Sequence, residues 1–600
     1  MLHLRPPMIS RHVLCLVLTA AAPLALAACA PTAPPDVATP FPAATPASVG
    51  DAGRAEQPSA PVHVQILAFN DFHGHIEPPA GDEGTLAASP GDVSDGGTTG
   101  GARVPVGGAV ALAAHVARLR AENPNTVVVS AGDLTGASPL VSNLFHDEPT
   151  VLAMNALGLD FEGVGNHDFD RGMGELRRLQ SGGCADADCD AGAFAGAKFE
   201  YLAANVRDVA TGKTVFPPYA IRDLSGVRVA FIGETLAQTP SVTTASAVQG
   251  LSFGDEADTA NALVPELEQQ GVSAIVLLLH QGGTQSRGAG YDSCTGLSGD
   301  ILSILPRLSP AIRVVVSGHT HQAYDCVVDG RLVTSAGEYG QLLTKIDLTV
   351  DPVTRRVLDA HAKNLPVTRD VAPDPEVARI LAPYEERAHL VVDRVVGWVK
   401  RDLTGSARRA GVSSCETPLG DVIADAMRTS TGADVAFMNP GGIRADLVAA
   451  RPGRAPHAIT FGDAFEVQPF KNTLVTMTLT GAQLAVLLER QFGARAEPRI
   501  LQVSQGFAYR YHYDRATRAG KVTDLRIHGR PVDRSRGYRV TVPSFLAGGG
   551  DAFGVLGEGK ERTEGAVDVD ALATYLGKHG TEAAPMDAPA GGRIFGDACQ

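Results

Sequence analysis

Five short motifs, spread over about half of the chain, end in side chains that bind metal ions. They are Asn70–Gly74, Gly132–Asp133, Gly165–Asp170, His280 and Gly318–His321. Carboxylate, amide and imidazole ligands without cysteine suit borderline divalent ions such as zinc, manganese, iron or cobalt. Two such ions a few ångströms apart form a centre that hydrolyses phosphoesters. The motifs therefore predict a two-metal site.

Four of these motifs follow apolar, β-branched runs that predict buried strands. The runs are Val62–Phe69, Val127–Ser130, Ala274–Leu279 and Arg313–Ser317. Side chains that follow several strands of one sheet converge in the crevice beyond the carboxyl ends of those strands. The sequence therefore predicts that the motifs meet at one edge of an α/β fold.

Each motif taken alone also has an ordinary structural explanation. The explanations are a polar strand end for Asp71 with His73 and for His319 with His321, a helix N-cap for Asp133, a satisfied core histidine for His280, and a turn for Asn166. Four strand-end motifs with ligand-type residues in one domain would be a rare coincidence. We therefore favour the joint interpretation.

Two positions in the motifs have more specific predicted roles. Asp133 is the natural bridging carboxylate, because it can offer one oxygen to each of two metals. His167 and Asp170 are three residues apart, so the carboxylate can orient the imidazole and raise its pKa. The alternative for this pair is a local hydrogen bond at the start of a helix.

The length and charge of the chain limit its organisation and partners. Six hundred residues are too many for one hydrophobic core, so we expect two or more domains. The net charge of −15 argues against a nucleic-acid polymer as the main partner, because binding a phosphate backbone requires a basic face. An acidic protein can still bind a small phosphorylated ligand where metals supply local positive charge.

The N-terminus is predicted to be a targeting segment. Arg5 and Arg11 precede the apolar run Val13–Leu26, which ends at Cys29 in the sequence Leu-Ala-Ala-Cys. This junction resembles the bacterial lipobox, so we expect a signal peptide at 1–28, a lipidated Cys29 and a disordered Pro-, Ala- and Thr-rich tether at 29–60. The alternative is an ordinary signal peptide followed by a chance cysteine. The lipoprotein interpretation places the chain in the cell envelope, attached to the membrane only through its lipid.

Six cysteines remain beyond the signal peptide and the lipid site. An even number in an exported chain indicates disulfides. We expect three pairs, with other connectivities left open: Cys184–Cys189, Cys294–Cys326 and Cys415–Cys599.

Strand-like and helix-like segments alternate between residues 61 and 366, which predicts an α/β domain of β-sheets flanked by helices. Within it, Arg331–Ala336 and Gln341–Val350 are predicted to be antiparallel strands. Asp374–Lys400 predicts a connecting helix within the linker 367–400. Residues 401–600 are predicted to form a second, smaller α+β domain.

Three loop segments stand out in the second domain: Asn439–Arg444, Gln468–Asn472 and Pro543–Asp551. The first is a tight turn that ends in a guanidinium, and the other two each present a phenylalanine. On physical grounds alone, core phenylalanines and ordinary turns are the preferred explanation. Alternatively, two aromatic faces clamp a base, at roughly 1–3 kcal/mol for each stacked base.

The motifs, in their order along the chain, resemble those of the 5′-nucleotidase family. These enzymes join a calcineurin-like metallophosphoesterase domain, a layered sandwich, to a nucleotide-specificity domain. The resemblance rests on Asn-Asp-Phe-His-Gly, Ser-Ala-Gly-Asp, Gly-Asn-His-Asp-Phe-Asp, Leu-Leu-Leu-His and Ser-Gly-His-Thr-His. Asn-x-Gly-Gly-Ile-Arg, Gln-Pro-Phe and Phe-Leu-Ala-Gly-Gly-Gly-Asp follow in the second domain.

The resemblance implies two divalent metals, zinc, manganese, cobalt or similar, and a role for each site residue. One metal would be held by Asp71, His73, Asp133 and His321, and the other by Asp133, Asn166, His280 and His319. His167 and Asp170 would form the catalytic dyad. The implied substrate contacts are Asn439, Gly441, Arg444, Phe470, Asn472, Phe545 and Asp551, with the two phenylalanines stacking on the base.

The implied activity is the removal of phosphate from extracytoplasmic nucleoside 5′-monophosphates, for nucleotide salvage. Broader nucleotide-sugar hydrolysis and 2′,3′-cyclic-nucleotide phosphodiester hydrolysis are alternatives, and a non-catalytic surface-binding lipoprotein is the alternative of another class. One departure from the family is that Ser413 and Ser414 stand just before Glu416, where relatives often carry arginine; here Arg408 and Arg409 lie further upstream.

Overall fold

The computed structural model describes residues 60–88, 102–185, 194–286, 288–405, 415–451, 455, 457–492 and 498–597. The predicted signal peptide, the predicted lipidation site Cys29, the predicted tether up to residue 59, and two predicted disulfide partners, Cys189 and Cys599, lie outside these residues. Within the described part of the chain, no helix has both the length and the apolar character needed to cross a membrane.

Two six-stranded sheets form the centre of the first domain. In spatial order, the first sheet contains Arg356–Pro366, Leu342–Asp351, Val62–Phe69, Thr126–Ser130, Phe161–Gly163 and Glu200–Leu202. The second contains Ala323–Val328, Arg331–Ala336, Ile312–Ser317, Ala274–His280, Val227–Thr235 and Tyr219–Leu224. This is the layered α/β sandwich that the sequence predicts.

Side chains along each strand alternate between the two faces of its sheet, and this alternation explains how the layers pack. In the strand Val62–Phe69, the side chains of Val64, Ile66 and Ala68 pack into the core between the two sheets, whereas Leu67 and Phe69 face the outer helical layer. Successive strand side chains point to opposite faces. Both faces are therefore apolar, as expected for strands that are covered on each side.

The strands that carry the motifs run parallel to their neighbours. Val62–Phe69 pairs in parallel with Thr126–Ser130, which pairs in parallel with Phe161–Gly163. In the second sheet, Ala274–His280 pairs in parallel with Ile312–Ser317. The motif that contains His167 follows Phe161–Gly163, a strand that the sequence analysis missed, so all five motifs follow strands.

The helices of the first domain cover the outer faces of the sheets. They are Ala109–Glu122, Leu140–Asn143, Glu148–Leu157, Gly172–Ser181, Thr239–Val242, Glu256–Gln269 and Ile301–Ile304. Two short strand pairs lie outside the sandwich: Thr85–Ala87 with Arg103–Pro105, and Val206–Asp208 with Leu251–Phe253.

The connecting helix is shorter than predicted. It spans Pro375–Val392, and the Asp374 side chain caps it by accepting hydrogen bonds from the backbone N–H groups of Glu376 and Val377. Val395–Trp398, predicted as part of this helix, is a strand that pairs with Ala458–Thr460 of the second domain. Its residues are mostly β-branched or aromatic, which favours a strand.

The second domain is built on a five-stranded and a four-stranded sheet. The five strands are Gln502–Val503, Val435–Met438, Gly537–Pro543, Thr473–Thr480 and Lys560–Val567. The four are Arg530–Pro531, Ala519–Ile527, Phe507–Asp514 and Ile594–Gly596. The helices are Pro418–Thr431, Phe461–Val467, Gly481–Glu489, Ser544–Ala547 and Asp568–His579. The α+β organisation agrees with the prediction.

One predicted disulfide is present between described residues. Cys294 and Cys326 are bonded, with an S–S distance of 2.02 Å. This bond ties the segment that follows His280 to the strand Ala323–Val328, so it braces two of the motif-bearing loops. Cys184 and Cys415 are also in disulfides, and their predicted partners lie outside the described residues.

Candidate metal centre and substrate site

Backbone hydrogen bonds continue beyond the ends of the strands and hold the first two motifs together. The N–H of Asp71 donates to the Gly132 carbonyl at 2.9 Å, and the N–H of His73 donates to the Asp133 carbonyl at 2.9 Å. The two loops therefore keep a fixed register outside the sheet, and this register places the side chains of Asp71, His73 and Asp133 in one crevice.

Five of the seven predicted ligands have a left-handed backbone. The φ values are 49° for Asp71, 48° for His73, 54° for Asp133, 71° for His319 and 57° for His321. Non-glycine residues rarely adopt this region, and such strain costs on the order of 1–3 kcal/mol at each residue. The surrounding fold therefore imposes these conformations, and they turn the side chains toward one point.

The first cluster contains Asp71, His73 and His321. His321 Nε2 lies 3.2 Å from Asp71 Oδ1 and 3.1 Å from His73 Nε2. The other ring nitrogen of His73, Nδ1, lies 2.8 Å from the Gly136 carbonyl oxygen. His73 is thus anchored by its Nδ1 and directs Nε2 into the cluster.

The second cluster contains Asp133, His280 and His319. His280 Nε2 lies 3.0 Å from Asp133 Oδ2, and Asn166 Oδ1 lies 3.2 Å from His280 Nε2 and 2.9 Å from His319 Nδ1. A side chain at Gly132 would not fit here, because a Cβ would lie 2.3 Å from His280 Nδ1. The amide oxygen of Asn166 thus lies beside His280 and His319, and its role as a metal ligand stays a prediction.

Asp133 lies between the two clusters. Its Oδ1 accepts a hydrogen bond from the His167 N–H at 2.8 Å. Its Oδ2 is buried without a hydrogen-bond partner among the described residues, yet it lies 3.0 Å from His280 Nε2 and 3.6 Å from His73 Nε2. A buried carboxylate oxygen that faces two imidazole nitrogens fits a bridging position between two cations.

Burial and neighbouring charges shift the pKa values in this crevice. Burial alone would raise the pKa of the Asp133 carboxyl group, but the adjacent His280 and His167 imidazoles hold it below its ordinary value. Burial lowers the pKa of the His73 imidazole well below its ordinary value, and nearby His321, His167 and Arg444 lower it further. An ionised carboxylate beside a neutral imidazole is the form in which both groups bind a metal.

The predicted dyad of His167 and Asp170 lies beside Asp133. His167 Nδ1 lies 3.0 Å from Asp170 Oδ2, which also accepts a hydrogen bond from the Ala137 N–H at 3.1 Å. This contact fixes the imidazole, so that Nε2 is the nitrogen available to a substrate. The pairing agrees with the predicted geometry, while the catalytic role stays a prediction.

Two buried acids near the clusters were missed by the sequence analysis. Asp168 accepts hydrogen bonds from the backbone N–H groups of Asp133, Thr135 and Gly165 at 2.8–3.1 Å, so it holds the Asp133 loop. Glu338 Oε2 lies 2.5 Å from His321 Nδ1. Glu338 comes two residues after the strand Arg331–Ala336, and the strand-end rule that identified the other motifs also applies to it.

In the second domain, the predicted substrate residues form two connected groups. Asn439 Nδ2 donates to Asp551 Oδ2 at 2.9 Å, and Arg499 contacts the other oxygen of this carboxylate. Asn472 Oδ1 accepts hydrogen bonds from the Phe545 N–H at 3.1 Å and from Ser544 Oγ at 3.0 Å. Asn472 thus joins the two phenylalanine loops, and Arg499 is an additional cation that the sequence analysis did not identify.

The two predicted stacking rings lie in different surroundings. The Phe470 ring stacks on the imidazole of His167, with centroids 5.5 Å apart and an interplanar angle of 21°. The Arg444 guanidinium carbon lies 5.8 Å from the centroid of the same ring. Phe545 packs against the backbone of Gly550, where a Cβ would lie 2.5 Å from the ring. Within the described part of the chain, no ring contact joins Phe470 to Phe545.

Comparison with known proteins agrees with this geometry. Residues 64–323 match the calcineurin-like phosphoesterase family, and residues 395–558 match the 5′-nucleotidase C-terminal domain. This chain belongs to the 5′-nucleotidase family. It is 25% identical to Protein UshA of Escherichia coli (strain K12) over 565 residues, which cover 87% of this chain and 92% of UshA.

A longer relative and a solved structure extend this comparison. Endonuclease YhcR of Bacillus subtilis (strain 168) is 33% identical over 535 residues, covering 88% of this chain; the chain spans only 41% of the length of YhcR. The structure of a 5′-nucleotidase precursor from Thermus thermophilus superposes with a TM-score of 0.72 at 28% identity, covering 89% of this chain and 99% of that chain.

The comparisons confirm the predicted family and fold class. Members of the 5′-nucleotidase family are phosphoester hydrolases that depend on two divalent metals, and both ligand clusters are present in this chain. The individual roles of the site residues and the predicted domain boundaries stay predictions. The second-domain match begins at residue 395, at the strand that the sequence analysis had assigned to the connecting helix.

Proposed function

We propose that this member of the 5′-nucleotidase family removes phosphate from nucleoside 5′-monophosphates outside the cytoplasm. One observation carries the proposal: a second-domain ring, Phe470, stacks on the histidine of the dyad beside the two ligand clusters. If the phosphate of a substrate lies at the clusters, the part of the substrate next to the phosphate would therefore already contact the second domain. Nucleoside monophosphates have the required form, a phosphate joined to an aromatic base by a polar sugar.

Each residue has a task that follows from its position. When bound, the two metals would supply positive charge at the phosphoryl oxygens and a nucleophilic water. His167, held in place by Asp170, would stabilise the negative charge on the phosphoryl oxygens in the transition state. Arg444 would add a fixed positive charge at the same place. Asn439 and Asp551 offer a donor and an acceptor to the sugar or the base.

A substrate panel tests this proposal. The protein is stripped of metal, reconstituted with manganese or zinc, and assayed for phosphate release from nucleoside 5′-monophosphates, nucleoside 3′-monophosphates and 2′,3′-cyclic nucleotides. We expect the highest kcat/KM on the 5′-monophosphates, and only with metal present. No turnover of any phosphoester would favour the non-catalytic binding protein instead.

A cavity between the domains favours a second candidate activity. It has a volume of about 400 Å³ and is lined by Glu338 and Tyr339 next to the first cluster and by Arg444, Val448 and Glu466 of the second domain. Of the predicted substrate residues, only Arg444 lines it. A second polar substituent on the phosphate would fit there, so hydrolysis of nucleotide-sugars is the second candidate.

Filling the cavity separates the two activities. Val448→Phe should lower kcat/KM for a nucleotide-sugar several-fold and leave the monoester rate within about twofold, because only the diester requires this space. Equal losses on both substrates would argue that the cavity does not receive a substituent.

We also propose that Cys29 carries a lipid that holds the protein in the cell envelope, periplasmic or outer-membrane associated, with salvage of nucleosides as its role. The Leu-Ala-Ala-Cys junction supports this proposal. A relative from Listeria monocytogenes named Cell wall protein Lmo0130, which is 29% identical over 548 residues, supports the envelope location and not the lipid itself. Cys29→Ser should move the protein from the membrane fraction to the soluble fraction. A native protein with an unmodified mature N-terminus would contradict the anchor.

A further inference from the structure

The Glu338 carboxylate lies behind one of the metal-ligand imidazoles. Its Oε2 is 2.5 Å from His321 Nδ1, and both side chains are only 10% exposed. The opposite nitrogen of the same ring, Nε2, faces Asp71 Oδ1 at 3.2 Å and His73 Nε2 at 3.1 Å. The His321 ring therefore contacts Glu338 through Nδ1 and faces the other two members of the first cluster, Asp71 and His73, through Nε2.

The turn that carries Glu338 is fixed to the first motif. The Tyr339 N–H donates to the Asp71 carbonyl at 2.9 Å, and Asn70 Nδ2 donates to the Gly337 carbonyl at 2.7 Å. Gly337 and Tyr339 have φ values of 72° and 57°. The backbone around Glu338 is thus held in a set conformation by the loop that supplies Asp71, and the position of the carboxylate does not depend on a substrate.

Two other cluster imidazoles are supported differently. His73 Nδ1 lies 2.8 Å from the Gly136 carbonyl oxygen, and His280 Nδ1 lies 2.8 Å from the Ala131 carbonyl oxygen. Backbone carbonyls fix the orientation of these rings without adding a formal charge. A carboxylate behind His321 fixes the orientation and also increases the electron density that the ring offers to a metal.

Among the groups that contact a cluster side chain, the carboxylates are distributed unequally between the two clusters. The buried Asp168 instead contacts backbone N–H groups and the Thr135 hydroxyl. The first cluster has Asp71, a share of Asp133, and Glu338 behind His321. The second has a share of Asp133 and the neutral amide of Asn166. Negative charge at or next to the ligands strengthens the binding of a divalent cation.

We propose that Glu338 is a positioning residue that holds His321 in its Nδ1–H form and makes the cluster of Asp71, His73 and His321 the tighter of the two metal sites. The first metal bound enters this cluster, and the second enters the cluster of His280 and His319 with lower affinity. This inference rests on the two-metal centre of the family and not on the identity of the substrate.

The experiment is a titration of the full-length, metal-free protein with Co²⁺. Calorimetry and visible absorption monitor the binding. The unmodified protein should bind two equivalents with separate affinities. His321→Ala should remove the tighter equivalent and His280→Ala the weaker one, which assigns the two sites.

Glu338→Gln keeps the size of the side chain and removes its charge. We expect a loss of 10- to 100-fold in affinity for the tighter equivalent only, the usual scale for removing an outer partner of a ligand. Glu338→Asp should give an intermediate loss, because it retains the charge on a shorter side chain. A matched control is Glu234→Gln. Glu234 is fully buried in the strand Val227–Thr235, which pairs with the strand that ends at His280. Its carboxylate has no hydrogen-bond partner among the described residues.

Several results would overturn the proposal. An unchanged titration in Glu338→Gln, equal losses of both equivalents, or equal effects of the Gln and Asp variants would each show that the charge does not set the difference between the sites. Because no substrate is present in the titration, a negative result here leaves the proposed nucleotidase activity standing, and a failed substrate panel leaves this assignment standing.

Discussion

The position of the Phe470 ring predicts that the two loop phenylalanines have different effects on the reaction. Phe470 stacks on His167, with centroids 5.5 Å apart, whereas Phe545 packs against Gly550. An aromatic pair contributes about 0.5–1.5 kcal/mol beyond its buried area. Phe470→Ala should therefore lower kcat about 2- to 13-fold, even on a substrate that has no base, because the support of His167 is lost.

Phe545→Ala should act only where a base is present. A stacked base contributes about 1–3 kcal/mol, which corresponds to a rise of about 5- to 160-fold in KM for a nucleoside 5′-monophosphate. Ribose 5-phosphate has the same sugar and phosphate without the base, so its kcat and KM should be unchanged in this variant. The assay is phosphate release from both substrates by both variants, with metal content measured in parallel.

Two outcomes would refute this reasoning. If Phe470→Ala changed only the KM for the nucleotide and left ribose 5-phosphate unaffected, the contact with His167 would have no catalytic consequence. If Phe545→Ala impaired both substrates equally, its ring would be structural. The earlier hypothesis of core phenylalanines would then apply to Phe545.

Three further predictions concern the metal centre and the stability of the second domain. Asp133→Ala should lose at least one metal and nearly all activity while the protein stays folded, and near-normal turnover with two metals bound would contradict its bridging role. His167→Ala should retain both metals and lower kcat by about 10²- to 10⁴-fold; a loss of metal instead would make His167 a ligand. Burial raises the pKa of Asp421 from 3.8 to about 8, and Arg593 opposes the shift. Between these two pH values the folded state keeps a proton that the unfolded state releases. The free energy of unfolding should therefore fall as pH rises from about 4 to 8. At about 1.4 kcal/mol per pKa unit, Asp421→Asn should stabilise the protein at pH 7.5 by up to a few kcal/mol and flatten this dependence in urea unfolding, whereas parallel pH profiles of the two proteins would contradict the shift.

The ligand clusters could be predicted from the sequence because chemistry and secondary structure coincide in it. Apolar, β-branched runs end one to three residues before Asp71, Asp133 and His280. Parallel strands bring their carboxyl ends to one edge. The strand Phe161–Gly163 was missed because three residues are too few to establish a periodic pattern.

Other features depend on contacts that no local pattern records. Glu338 was missed because the strand before it, Arg331–Ala336, was predicted to be antiparallel. This strand is antiparallel to Ala323–Val328 but parallel to Ile312–Ser317, the strand that precedes His319 and His321. The strand Val395–Trp398 was hidden by a helical pattern that continues from Pro375–Val392, and its pairing with Ala458–Thr460 decides its conformation. The stacking of Phe470 on His167 depends on how two domains pack.

The hydrogen-bonded loops at the centre also determine when the site can form during synthesis. His73 and His321 are 248 positions apart in the sequence. Asp71 and His319 are also 248 positions apart, and the backbone N–H of His319 donates to the Asp71 carboxylate. Contacts of such separation close large loops, and they form late because the chain entropy must be lost first. A nascent chain that has not yet reached residue 321 lacks one imidazole of the first cluster, whatever its local structure. Metal loading of the first cluster therefore follows the synthesis of residue 321, so the ions that compete for this cluster are those present where folding finishes.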